Sequence, residues 1–216
     1  MATVEEWTLW LHIAAGVVAL AAGFGALATT KGGRRHRQSG RVFVASMAVV
    51  VATVFVLLAV APSAFRVFLA LVAVFSGYLA FSGYRALSRK RPADGARAVD
   101  WTAAAAVVVA CLGLGGWGAL RLVSGDSFGM VMGVFGAIGV GFGVLDVREF
   151  RAADTTGEWT VAHLQRMLGA FVATVSAVSA VNLTSALGVA AWLWPTAVGV
   201  PLIAYFSRAY SRPSSE

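Results

Sequence analysis

Apolar residues run through this chain in long unbroken blocks separated by short polar segments. Seven blocks stand out, at residues 7–29, 42–61, 64–87, 101–122, 127–147, 161–182 and 187–206. A helix needs about 20 apolar residues to cross a ~30 Å hydrocarbon core, and each block meets that length. The runs are continuous rather than alternating, which selects helices over a β-barrel. The pattern predicts an all-α integral membrane protein, a compact bundle of seven transmembrane helices forming a single domain over residues 1–216.

Composition agrees with this reading. Hydrophobic residues make up 59% of the chain and charged residues 12%, against about 25% charged in ordinary soluble domains. The net charge of +7 could suggest nucleic acid. The basic residues instead form short clusters between apolar blocks, with no stripe of interleaved aromatics, so no nucleic-acid partner is expected. Their distribution is one-sided. Lys31, Arg34, Arg35, Arg37 and Arg41 follow the first block. Arg85, Arg89, Lys90, Arg91 and Arg97 follow the third. Arg148, Arg151 and Arg166 surround the gap after the fifth, and Arg208 and Arg212 follow the seventh. Together these are 15 of the 17 basic residues, and only Arg66 and Arg121 fall on the other side. Cytoplasmic loops carry the excess of Lys and Arg. This predicts seven spans in the cell membrane, the N-terminus outside and the C-terminus in the cytoplasm, with anionic lipids at the cytoplasmic face. Ala26-Leu27-Ala28 resembles a signal cleavage site, but no basic residue precedes the long apolar run, so the first helix is expected to stay uncleaved. The lone Cys111 reads as a small buried hydrophobe.

Small residues predict close helix packing, because lipid provides little hydrophobic drive between helices. His12, Gly16, Ala19 and Gly23 share a face of the first span. Gly129, Gly133, Gly136, Gly139, Gly141 and Gly143 crowd the fifth. Pro195 and Pro201 are expected to kink the seventh.

Polar residues within or beside spans are the candidates for chemistry. His12, His36 and His163 are the only histidines. The predicted topology puts His12 near the outer side, where Asn182 and Thr184 are plausible partners. His36, in the first cytoplasmic loop, and His163, at the start of the sixth span, share the opposite side. The arrangement excludes a single three-histidine centre. It allows a cytoplasmic-face site built from His36, His163, Arg37, Arg41, Arg166 and Tyr84, with Asp146 and Glu149 nearby. There His36 and His163 would ligate a divalent metal or a haem iron while arginines pair with the propionates. The competing reading has the same groups bonding loops, acids and lipid phosphates. Three histidines cannot supply the four ligands of a diheme cytochrome b561, and the last span has no histidine pair of the adiponectin-receptor type.

Four segments resemble a known group. Leu11-His12-Ile13-Ala14-Ala15-Gly16, His36-Arg37-Gln38-Ser39-Gly40-Arg41-Val42-Phe43, Ser82-Gly83-Tyr84-Arg85-Ala86-Leu87 and His163-Leu164-Gln165-Arg166-Met167-Leu168-Gly169-Ala170 are similar, in that order, to segments of the domain of unknown function 2306 family of prokaryotic membrane proteins. The resemblance implies a compact helical bundle and adds weight to each histidine, and it implies no activity. The leading expectation is therefore a membrane protein binding haem, metal or another anionic ligand at the cytoplasmic-face His/Arg site, with a redox role. A small-molecule or lipid transporter and a purely structural assembly partner are the alternatives.

Overall fold

A computed structural model describes residues 3–91, 93–151 and 158–211. The described residues form seven α-helices and no strand: α1 (Val4–Ala28), α2 (Arg34–Val60), α3 (Ala64–Ala86), α4 (Ala98–Val123), α5 (Gly129–Arg151), α6 (Glu158–Leu187) and α7 (Ala190–Ser211). All seven are long and apolar enough to cross a membrane. The chain divides into two compact units, Met1–Gly77 and Tyr78–Glu216, and the division falls inside α3.

In the first unit, α1 starts on a reciprocal cap. The Thr3 hydroxyl accepts from the Glu6 amide at 3.3 Å, and the Glu6 carboxylate accepts from the Thr3 amide at 2.6 Å, which satisfies two amides that the helix leaves open. The turn to α2 is short and passes through Gly32 at φ +74°. Pro62 stops α2, since the residue before a proline disfavours helix, and the Ser63 hydroxyl then accepts from the Arg66 amide at 3.2 Å to open α3.

The boundary of α2 differs from the expectation. Arg34, Arg35, His36, Arg37 and Arg41 lie in the first turns of α2, not in a loop. Arg and Gln are good helix formers, so the helix continues past the point where hydropathy falls. The same effect extends α5 through Arg148 and Arg151 and α7 through Arg208. Arg212 lies outside the described residues.

In the second unit, α4 and α5 pack through a seven-residue repeat. Ala104, Cys111 and Gly118 are buried on α4, and Gly129, Gly136 and Gly143 are buried on α5. A methyl on Gly136 would lie 2.8 Å from both the Cys111 carbonyl oxygen and the Gly115 nitrogen. A methyl on Gly143 would lie 2.5 Å from a Val108 methyl, and one on Gly129 would meet the Gly118 carbonyl. Only glycine allows backbones this close. Gly133 and Gly141 have nothing within 4 Å of such a methyl, so just part of the expected stripe forms the contact.

The α6–α7 pair is joined differently. Pro195 and Pro201 both lie inside a continuous α7. Pro195 has no N–H to give the Ala191 carbonyl one turn back. The Ser179 hydroxyl of α6 donates to that carbonyl at 2.6 Å, and the Trp194 indole donates to Ser179 at 2.7 Å. The acceptor that proline leaves open thus becomes a link between helices.

Candidate functional site

The predicted residues fall into both units. In the first, His12 Nδ1 lies 2.9 Å from the Thr53 hydroxyl of α2, which itself donates to the Val49 and Val50 carbonyls at 2.8 Å. Thr53 was not among the expected partners. The Asn182 amide of α6, which was, donates to the Val178 carbonyl of its own helix at 2.8 Å.

His36 Nδ1 lies 3.0 Å from the Ala26 carbonyl in the last turn of α1. Lys31 donates to the Ala26 and Leu27 carbonyls of the same turn, at 3.2 and 2.7 Å. Helix ends leave four carbonyls without intrahelical donors, and these side chains serve them. Arg37 and Arg41 are exposed, and Arg37 donates to the Gly32 carbonyl.

The second unit holds His163, Arg166 and Tyr84. His163 Nδ1 lies 2.8 Å from the Gly83 carbonyl of α3. A carbonyl only accepts, so Nδ1 carries a proton and donates it to Gly83, as Nδ1 does in many ligating histidines. The close approach needs Gly83, where a methyl would lie 3.0 Å from Met167 and 3.1 Å from the Arg166 Cβ. Tyr84 is 44% exposed.

Arg166 is 3% exposed and belongs to a larger assembly of buried charge. Its Nη2 bonds Asp146 of α5, which is fully buried and also accepts from the Tyr78 hydroxyl of α3. The same Nη2 lies 3.5 Å from Glu149. Beyond Glu149 comes Arg89, 6% exposed, with its Nη2 at 3.8 Å from that carboxylate. Arg89 Nη1 reaches Asp100 at 3.3 Å. Asp100 is clasped by Arg85 through two 2.8 Å bonds and accepts from the Arg97 amide at 2.9 Å. The sequence Tyr78–Asp146–Arg166–Glu149–Arg89–Asp100–Arg85 therefore runs through α3, α4, α5 and α6. It contains three arginines and three carboxylates.

One face of α5 organises this array. Phe142, Asp146, Glu149 and Phe150 recur at helical spacing. Arg166 stacks over Phe142 at 5.7 Å and Arg89 over Phe150 at 5.0 Å, which favours cations at both places. This stripe was the signal in the sequence. Asp146 and Glu149 are its visible members, whereas Tyr78, Arg89 and Asp100 were missed as site residues.

The array is incomplete. Among the described residues, Arg166 Nε and both Nε and Nη2 of Arg89 are buried without a hydrogen-bond acceptor. The Ser82 hydroxyl, one turn from Tyr78 on α3, is also buried without a partner. A buried unsatisfied donor costs about 1–3 kcal/mol, and more when charged. Among the described residues, no group of three or more His, Cys, Asp or Glu side chains could hold a metal ion.

No family model, curated protein or solved structure matches the chain.

Proposed function

We propose that this chain is a multi-pass protein of the cell membrane, with its N-terminus outside and its C-terminus in the cytoplasm, that holds an anionic ligand beside Arg166, Arg89 and His163. One observation carries the ligand reading: two almost fully buried guanidinium groups flank one carboxylate and, among the described residues, keep three N–H-bearing nitrogens without an acceptor. Arginine recognises carboxylate and phosphate oxygens through paired N–H groups. Gly83, Arg85, His163 and Arg166 all lie in segments that resemble the domain of unknown function 2306 family, which supports locating the site there. The test is calorimetric titration of the purified chain with dimethyl phosphate, together with native mass spectrometry of retained phosphatidylglycerol. Saturable binding lost in Arg89→Gln and Arg166→Gln supports the reading. Binding unchanged by both substitutions, or no binding of either probe, overturns it.

The orientation is supported by the two exceptions to the one-sided basic charge. Arg66 pairs with Glu5 and Arg121 with Asp126, so neither adds an unbalanced cation to its side. Arg34, Arg35, Arg37 and Arg41 are exposed at the N-terminal end of α2, where the helix dipole disfavours cations. Anionic lipid phosphates at the cytoplasmic face would offset that cost. Single cysteines at Ser63 and Ser88 test the orientation. Impermeant maleimide should label the first in intact cells and the second only after lysis.

A second reading follows from His163 alone. Its Nδ1 faces the Gly83 carbonyl, as the first nitrogen of a haem- or metal-ligating histidine often does, which would go with a redox role. Protein from haem-replete cells would then show a Soret band that His163→Ala abolishes. A colourless protein without stoichiometric metal ends that reading.

A further inference from the structure

We infer that Ser82 is a ligand-binding residue of the anion site: its buried hydroxyl donates to the third terminal oxygen of a phosphate monoester whose other oxygens are held by Arg89 and Arg166. This rests on the anionic-site reading above and names the class of anion that the site selects.

A serine inside a helix has an acceptor within reach, the carbonyl one turn back. Ser76 of the same helix donates to the Val72 carbonyl at 2.9 Å, and Ser207 of α7 donates to the Ile203 carbonyl at 2.7 Å. Ser82 does not make that bond. It is 3% exposed, and among the described residues its Oγ has no hydrogen-bond partner. A hydroxyl buried unpaired costs stability, and binding sites are where such a cost is offset by function.

The helix register shows where this hydroxyl sits. Tyr78, Ser82 and Arg85 follow one another at i, i+4 and i+7 on α3 and so share a face. Tyr78 bonds Asp146 and Arg85 bonds Asp100, so the face turns toward the charge array with Ser82 between those two anchors. Arg166 comes against α3 at the same level, since a methyl on the adjacent Gly83 would lie 3.1 Å from the Arg166 Cβ.

The open donors specify the ligand. Nε and Nη2 of Arg89 form one edge of its guanidinium, the fork that takes two oxygens of one anion. Arg166 Nε and the Ser82 hydroxyl remain. A carboxylate or a phosphodiester has two terminal oxygens, and the fork occupies both. A phosphate monoester has a third, outside the plane of the fork, which can accept from Arg166 and Ser82 together. Lys90, next to Arg89, lies over the Trp159 ring at 4.6 Å. Tryptophan and lysine side chains gather at the membrane interface, which puts the site at headgroup level. The monoester can belong to a membrane lipid or to a soluble molecule.

The experiment compares the full-length wild-type chain with Ser82→Ala and Ser176→Ala. Ser176 is the control: its hydroxyl is also buried and open among the described residues, but it lies about 15 Å along α6 from Arg166. Methyl phosphate and dimethyl phosphate are titrated by calorimetry in delipidated detergent. Phosphatidic acid retained from phosphatidylcholine nanodiscs is counted by native mass spectrometry. Ser82→Ala should weaken methyl phosphate about tenfold, as a hydrogen bond to a charged group predicts, and dimethyl phosphate by less than about twofold. Its ligand-free melting temperature should equal or exceed that of wild type, because the substitution removes an unsatisfied group. Ser176→Ala should bind as wild type does. Phosphatidic acid retained by wild type and lost in Ser82→Ala identifies a lipid headgroup as the source. Weakened methyl phosphate with no phosphatidic acid retained by wild type identifies a soluble monoester. Equal weakening of both esters, no weakening of either, or a lower ligand-free melting temperature in Ser82→Ala overturns the role of Ser82 and leaves the anion site standing. Absence of binding of all three probes by wild type overturns both.

Discussion

The two units use polar side chains in opposite ways. In the first, His36 and Lys31 serve carbonyls at the end of α1, Arg66 serves Leu57 and Ala61 at the end of α2, and Glu5–Arg66 is the ion pair among its described residues. In the second, arginines and carboxylates bond each other across four helices, in places sealed from solvent. A carbonyl that loses its capping donor at a helix end can turn to water or a headgroup. A buried charge that loses its counter-ion has nowhere to turn. Function is therefore sought in the second unit, where the cost of keeping charge is highest.

The comparison breaks first at Asp146. Asp146→Ala leaves Arg166 without its main partner, and truncating one member of a buried pair typically costs about 3–5 kcal/mol. The expected result is a large loss of thermal stability in detergent, with less loss in Asp146→Asn. A loss no greater than that of His36→Ala would erase the distinction between the units. The next largest effect is expected at the α4–α5 contact. Gly136→Ala forces a methyl onto the α4 backbone and should destabilise by about 1–3 kcal/mol, whereas Gly133→Ala, with open space around it, should be neutral or stabilising by up to about 1 kcal/mol. Two single hydrogen bonds come third. Ser179→Ala in the second unit and Thr53→Ala in the first should each cost about 0.6–1.7 kcal/mol, the range for interhelical bonds in membranes. Similar values would show that the units differ in charge and not in ordinary hydrogen bonding.

The smallest effect concerns Asp126, outside the spans. Its carboxyl is held below the usual range by the Phe128 amide and then by Arg121. A depressed folded pKa means the contribution is present above the unfolded value, about 3.9, and is lost as pH falls through the folded one. The melting temperatures of wild type and Asp126→Asn should therefore differ slightly at neutral pH and converge in acid. A difference that grows on acidification would reverse the assignment.

The spans were legible because the membrane demands apolar length, and composition records length directly. Their ends were less so: arginine and histidine continue a helix beyond the lipid, which hid the start of α2. The site was half legible. Arg166, His163, Asp146 and Glu149 stand out as polar residues near span ends. Choosing Tyr84 over Tyr78 shows the limit. The two are six residues apart on one helix and point in different directions, and which one meets Asp146 depends on how α3 is rotated. Hydropathy does not encode that rotation. The pairing of His12 with Thr53 was hidden for the same reason.

The Asp146–Arg166 pair also bears on how the chain is made. The two residues are 20 positions apart, and the acid leaves the ribosome first. The α4–α5 hairpin, closed by a short turn and its glycine contact, can assemble as soon as both helices have been synthesised. At that moment Asp146 is in place and its cation is not. A lone carboxylate is costly in hydrocarbon, and that cost is offset only when α6 brings Arg166 to it. Insertion of α6 is thus the step that commits the second unit to its final depth, and a chain halted before Arg166 would present the cell with an unfinished membrane segment marked by a single orphaned acid.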